Sequence, residues 1–195
     1  LGPERVRDGD VLIALGASGL HSNGYSLVRR VIAHAGWELD RHVPEFGRTL
    51  GEELLEPTMV YASACLDLAS GGDVHAYTHV TGGGLAANLA RVIPAGLTAI
   101  VRRDSWIIPP VFATVQELGN VPWDDLEGTL NLGVGMVAIV PADAADRVQR
   151  RVAELGMTAC ELGVVTSQRP DGPLIAGTKG VDAGAVQLTG EYRLS

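Results

Sequence analysis

The sequence predicts an α/β fold, a sandwich in which a β-sheet is covered by helices. Two observations carry that expectation. A short apolar run, a glycine-rich turn and a helical repeat follow one another over residues 10–36 and again over 73–93, and repeated units of this kind build a sheet layered with helices. The chain of 195 residues, 46 % apolar and 19 % charged, is long enough for one domain with a substantial core and too apolar to stay disordered.

Asp10-Val-Leu-Ile-Ala-Leu-Gly16 is a short apolar run ending in glycine, as a buried strand reads. A loop rich in Gly and Ser follows. From Ser22 onward, Leu27, Val28, Val31, Ile32 and Ala35 recur at helical spacing, Ser22 is placed to cap the helix, and Gly36 supplies the stop. Residues 40–57 carry charges, Gly and Pro around Leu54-Leu55, which predicts a surface excursion closed by Pro57. A helix can begin at that proline, and Val60, Ala64, Leu66 and Leu68 predict one reaching Ser70, ended by Gly71-Gly72.

Asp73 to Val80 alternates, with Val74, Ala76, Thr78 and Val80 on one face and His75, Tyr77 and His79 on the other, so a strand with one polar face is expected. Gly82 to Gly84 lead into a helical pattern over Leu85–Ile93, stopped by Pro94. Leu97–Val101 reads as a strand, and Val111, Val115 and Leu118 mark a helix between Pro109-Pro110 and Gly119. Gly133–Pro141 is a strand. Asp143–Leu155 is a helix with Ala144, Ala145, Val148, Val152 and Leu155 inward, and Cys160–Thr166 is the last core strand. One domain is therefore expected over 1–170. Beyond Pro170 the Gly-rich composition predicts a loosely packed tail, 171–195, with Val186–Leu188 as an edge strand.

The net charge of −8 and the scattered 15 Lys and Arg exclude broad nucleic-acid contact, which needs clustered cations. An anionic ligand must then be held locally. No apolar run approaches the ~20 residues that cross a bilayer, and the start, LGPERVRDGD, lacks the apolar stretch of a signal peptide. A soluble, unexported protein is expected. Cys65 and Cys160 stand far apart without CxxC spacing, which supports neither a disulfide framework nor a thiolate zinc site.

The strongest local signal is Gly16-Ala-Ser-Gly-Leu-His-Ser-Asn-Gly24. Small residues at a helix entrance let backbone amides approach a phosphate or carboxylate. A tight turn whose glycines only supply left-handed conformations fits the same spacing equally well. Gly82-Gly-Gly-Leu-Ala-Ala87 matches the loose dinucleotide pattern, and Asp104 stands where a ribose-binding acid would follow. The polar His75, Tyr77 and His79 argue against that reading, because a central strand of a doubly wound sheet is apolar on both faces. His75 and His79 are also poor partners for one metal ion, since four residues of strand span about 13 Å. Gly177-Thr-Lys179 resembles the end of a P-loop in the wrong order, and no complete P-loop occurs. Asn131-Leu-Gly-Val-Gly135 sets two glycines at a strand entrance, as a bulge or a close backbone approach would.

Taken together, DVLIALGASGLHSNGYSLVRRV, HVTGGGLAANLARVIP, Trp106-x-x-PPVF and Asn131-x-GVGM resemble successive blocks of the phosphoribosylformylglycinamidine cyclo-ligase (AIR synthetase) family, in the family's order. The resemblance runs from about Asp8 to about Val165. It implies the carboxy-terminal domain of that superfamily, with a mixed sheet. It further implies an ATP-dependent ring closure in purine biosynthesis, from formylglycinamidine ribonucleotide to aminoimidazole ribonucleotide, with ADP and phosphate released. In such a protein an amino-terminal half would supply most ligands for ATP and Mg and the homodimer interface. This chain, without that half, would turn over little, and the whole enzyme would be cytoplasmic.

Carried over residue by residue, the resemblance assigns Ser18, Gly19, Ser22, Asn23 and Gly24 to the substrate-side anion pocket, with His21 contacting the reacting group. His79, Thr81, Gly82, Gly83 and Gly84 would form a second wall, His79 sharing the catalytic role, and Asn131 would also bind substrate. No metal ligand is assigned to this chain. Thr129-Leu-Asn131 departs from the aromatic residue that the family commonly has before the asparagine. The alternatives are a sister enzyme, such as formylglycinamidine synthase, selenophosphate synthetase or thiamine-phosphate kinase, and a non-catalytic anion-binding or docking module. HSNGYSLVR and HVTGGG favour the cyclo-ligase over the sisters.

Overall fold

The apolar run at 11–16 forms β1 (Val11–Gly16), and its period of two divides it between two cores. Leu12 and Ala14 face one, while Val11, Ile13 and Leu15 face the other. A strand buried on both faces needs helices above and below. The computed structural model, which describes residues 1–177 and 184–194, supplies them.

After β1 come α1 (Tyr25–Ala35), a short hairpin β2 (His42–Val43) and β3 (Arg48–Thr49), and helices α2 (Leu50–Leu54) and α3 (Ala62–Ser70). Next are β4 (Ala76–His79), α4 (Gly84–Leu89), β5 (Thr98–Arg102), β6 (Ile107–Ile108), α5 (Pro110–Gly119) and α6 (Trp123–Glu127). The chain ends with β7 (Val134–Val140), α7 (Ala145–Glu154), β8 (Ala159–Thr166), β9 (Ile175–Ala176), β10 (Ala185–Thr189) and β11 (Arg193–Leu194). Seven strands make one mixed sheet in the order β4-β7-β1-β8-β5-β10-β9. Only the β5–β10 pair within it is parallel.

Helices α1, α4 and α5 bury Val28, Val31, Ile32, Leu85, Leu89, Val111, Phe112 and Val115 in the core on one face. Helices α3 and α7 bury Leu68, Val148 and Val152 in the core on the other. Each such side chain contributes roughly 1.5–3 kcal/mol relative to exposure. The expected helix-covered mixed sheet is therefore the fold.

Several elements differ from the sequence expectation, each for a physical reason. Residues 40–57 are more than a surface excursion. Thr49 and Glu52 form a reciprocal capping box for α2, and Val43 and Leu50 reach the core. Helix α1 begins at Tyr25 rather than Ser22 because Gly24, with φ of 74°, takes the cap position without any side-chain cap. Ser22 therefore does not cap it. Helix α3 starts after Tyr61 and leaves Val60 and Leu66, both expected inside, on the surface.

Leu155, also expected inside, lies past the end of α7 and is exposed. Helix α6 and the parallel β6–β11 pair had no sequence signal. Cys160–Thr166 is not the last core strand, and Val186–Leu188 is not an edge strand. Strand β10 sits between β5 and β9 with Val186 fully buried, so residues 185–189 belong to the sheet and not to a loose tail.

Candidate functional site

Two glycine turns meet beside the β4 edge of the sheet. The first leaves β1, where the Ala17 amide donates to Gly133 O at 2.9 Å and so ties the turn to the entrance of β7. Asn131 is its anchor. Its Nδ2 donates to Gly19 O at 2.9 Å and to Leu20 O at 3.2 Å, and its Oδ1 accepts the Gly133 amide at 2.8 Å. At 1 % exposure this side chain serves the turn from within. His21 is left-handed, with φ of 56°. A non-glycine residue held there costs on the order of 1–3 kcal/mol, so the surroundings must impose it. Its Nε2 accepts the Ser18 amide at 3.1 Å. The amides of Ser22 and Gly24 make no backbone hydrogen bond among the described residues, and that of Asn23 sits in the turn at 21–22 without a bond of ordinary length. They lie at the start of α1, whose N-terminus carries partial positive charge.

The second turn joins β4 to α4. Gly83 and Gly84 have φ of 101° and 71°, and a β-carbon at Gly84 would strike Glu127 O. Glycine is therefore required by both conformation and space. Asn88 holds this turn through Nδ2, which donates to Gly84 O at 2.7 Å and Thr81 O at 3.3 Å, while the Thr81 hydroxyl donates to Asn88 Oδ1 at 3.2 Å. The turns are clamped together where the Gly82 amide donates to Asn23 Oδ1 at 3.0 Å.

A third segment, absent from the sequence expectation, backs the first turn. The Ser18 hydroxyl donates to Pro57 O at 2.7 Å, Ser22 and Thr58 hydroxyls lie 3.4 Å apart, and Glu56 covers Gly19. Tyr61 follows. Its hydroxyl donates to Gly16 O at 2.7 Å, and its ring lies between His21 and His79, with centroids 6.0 and 6.2 Å away. Gly135 lies beneath, because a β-carbon there would fall on the Tyr61 hydroxyl. Nothing local in the sequence marks Tyr61; its bond to Gly16 spans 45 residues.

Burial sets the electrostatics. It lowers the His21 pKa, with the neighbouring His79 adding to the effect, and it raises that of Tyr61, which therefore stays a neutral donor. His79 is exposed, whereas His21 is 3 % exposed. The expected contact of His21 with a reacting group is thus not what the geometry offers. His21 lies inside the wall of the turn. His75 pairs through Nδ1 with Asp10 Oδ2 at 2.7 Å.

The dinucleotide alternative fails on topology as well. β4 is an edge strand antiparallel to β7, not a parallel strand of a doubly wound sheet. Thr178 and Lys179 lie outside the described residues. A depression of about 660 Å³ lined by Trp37, Arg41, Pro44 and Glu117 takes none of its lining from either turn. On the clamped turns Ser22 and Gly82 are exposed and Asn23, Gly24 and Gly83 half-buried, whereas Gly19, His21 and Gly84 are buried. Among the described residues, no three His, Cys, Asp or Glu side chains converge as metal ligands would.

A mixed sheet layered on both faces, with paired glycine turns at its edge, defines the class: an α/β sandwich domain whose loops are shaped for close backbone approach. Residues 7–173 match the family described as AIR synthase related protein, C-terminal domain, and the chain belongs to that family. A putative phosphoribosylformylglycinamidine cyclo-ligase of Streptomyces fradiae is 52 % identical over 188 residues, covering 96 % of this chain and 99 % of the relative. The phosphoribosylformylglycinamidine cyclo-ligase of Symbiobacterium thermophilum is 44 % identical over 176 residues, covering 88 % of this chain and 50 % of the relative. This chain thus spans about half the length of the latter. Among solved structures, thiamine-monophosphate kinase from Stenotrophomonas maltophilia K279a superposes with a TM-score of 0.60 at 20 % identity, covering 98 % of this chain and 53 % of that one. That likeness concerns the fold.

Proposed function

We propose that this chain forms the carboxy-terminal wall of the active site of an ATP-dependent cyclo-ligase that closes the imidazole ring of aminoimidazole ribonucleotide. The observation that carries the reading is the Asn23–Gly82 clamp, which sets the amides of residues 22–24 beside the glycines of the second turn. Amides at a helix start bind a ribose phosphate without needing positive net charge, which suits a chain of net charge −8.

In this reading Ser18, Gly19, Ser22, Asn23 and Gly24 hold the phosphate end of formylglycinamidine ribonucleotide. Thr81 and Gly82 to Gly84 form the facing wall, and Asn131 fixes the first turn from behind. The exposed His79 contacts the reacting amidine-side group, and His21 acts from inside the wall. The γ-phosphoryl group of ATP passes to the formyl oxygen. An amidine-side nitrogen then attacks the formyl carbon, the carbon–oxygen bond to phosphate breaks, and ADP and phosphate leave. ATP with its Mg is held mainly by an amino-terminal half, in a cytoplasmic homodimer. The Symbiobacterium relative, twice the length of the match, has room for such a half.

An isotope-edited NMR titration with ribose 5-phosphate tests the anion wall. Amides from Gly19 to Gly24 should move first. Shifts confined to residues 40–57 or to the segment after Pro170 would defeat the reading.

A further inference from the structure

His21 has one nitrogen occupied and the other orphaned. Nε2 lies 3.1 Å from the Ser18 amide, which can only donate, so Nε2 must keep its lone pair. In a neutral ring the proton then sits on Nδ1, which is enclosed and has no partner among the described residues. An orphaned buried donor is rare and calls for an explanation. The neighbours of the ring are close and themselves fixed. Tyr61 lies on one side with its hydroxyl fixed to Gly16 O, Gly135 leaves room only for the Tyr61 hydroxyl and the His21 ring, and Asn131 fixes the carbonyls of Gly19 and Leu20 just before His21.

We infer that His21 is a positioning residue held neutral as the Nδ1–H tautomer, and that uptake of a proton at Nε2 releases the Ser18 amide and loosens the anion turn. Protonation turns the acceptor into a donor facing a donor. The turn would then lose the one side-chain bond that closes it between residues 18 and 21. The titratable groups facing His21 are Tyr61 before α3 and His79 at the end of β4; Gly135 of β7 brings none, and Glu56 lies over Gly19. Tyr61 stays neutral and His79 opposes a second positive charge, so both favour the neutral ring. The site is thereby competent at neutral pH and weakened in acid.

The consequence for anion binding rests on the proposed function; the tautomer and the Ser18 bond do not. Long-range proton–nitrogen correlation spectra of the chain at neutral pH should show His21 protonated on Nδ1. As pH falls, the Ser18 amide should shift with a midpoint below that of a free histidine, and its exchange protection should drop roughly tenfold, as for loss of one ordinary hydrogen bond. His79→Gln should retain that transition. His21→Gln, whose side-chain oxygen can accept the Ser18 amide without titrating, should abolish it.

A proton on Nε2 at neutral pH, a Ser18 amide that does not titrate, or the same transition persisting in His21→Gln would overturn the inference. Should His21→Gln fail to fold, the tautomer and the wild-type Ser18 titration still decide. Sulfate, a dianion throughout this range, then serves as a non-titrating probe. Its shifts at residues 22–24 should weaken through the same midpoint, relative to chloride at equal ionic strength. Sulfate shifts that ignore pH while Ser18 titrates would overturn the coupling. Sulfate shifts absent at every pH would sink the anion-wall reading and the coupling with it, while the tautomer result would stand.

Discussion

Gly135 shows how much one missing methyl decides. Any β-carbon there collides with the Tyr61 hydroxyl and presses on His21 Cε1. Gly135→Ala should therefore destabilise the protein by about 1–3 kcal/mol, the usual cost of overpacking, read as a lower urea midpoint at unchanged slope. Asn131→Ala strands the carbonyls of Gly19 and Leu20 and the amide of Gly133, and should cost about 1–3 kcal/mol or more. A variant with the parent's midpoint would show that Asn131 does not hold the turn. His21 adds a dependence on pH. Its folded pKa is depressed, so the unfolded chain takes up the proton first as pH falls below about 6.5. Its contribution is thus intact above that pH and declines below it. The fall in urea midpoint between pH 7.5 and 5.5 should be smaller in His21→Gln than in the parent. Both turns are legible in the sequence, because small residues between an apolar run and a helix are a local signal. The roles within them are less so. Tyr61 and Asn131 act over 45 and 112 residues, beyond the reach of any spacing rule.

Elements were legible where burial alone chose them. β1, β7, β8, α1 and α5 follow their apolar periods closely, because each buries a stripe or a whole strand. Mismatches occur where tertiary contacts override local pattern. The left-handed Gly24 delays α1, Val60 stays outside because α3 begins only after Tyr61, and β6 and β11 are too short to signal without each other. β10 is legible as a strand at 186–188, but its glycine-rich neighbourhood does not signal that it lies inside the sheet between β5 and β9. Val186→Asp tests its place. A carboxylate at that fully buried position should cost several kcal/mol and abolish cooperative unfolding or shift it far down in temperature. A variant as stable as the parent would put residues 185–189 outside the core.

At the scale of the whole molecule, three properties fit one account: net charge −8, glycine turns that offer amides, and half the length of the Symbiobacterium relative. In the proposed reading, local amides rather than global charge hold the anion, and an amino-terminal half faces both turns across the cleft. The most direct measurement is ADP release by a fusion in which this chain replaces the matching half of the Symbiobacterium enzyme. The account predicts release that requires formylglycinamidine ribonucleotide and falls at least tenfold in Asn23→Ala, which loses the clamp, a loss on the order of one charge-free hydrogen bond in the transition state. A fusion that unfolds cooperatively and binds ATP, yet releases ADP no faster with the ribonucleotide than without it, would contradict it.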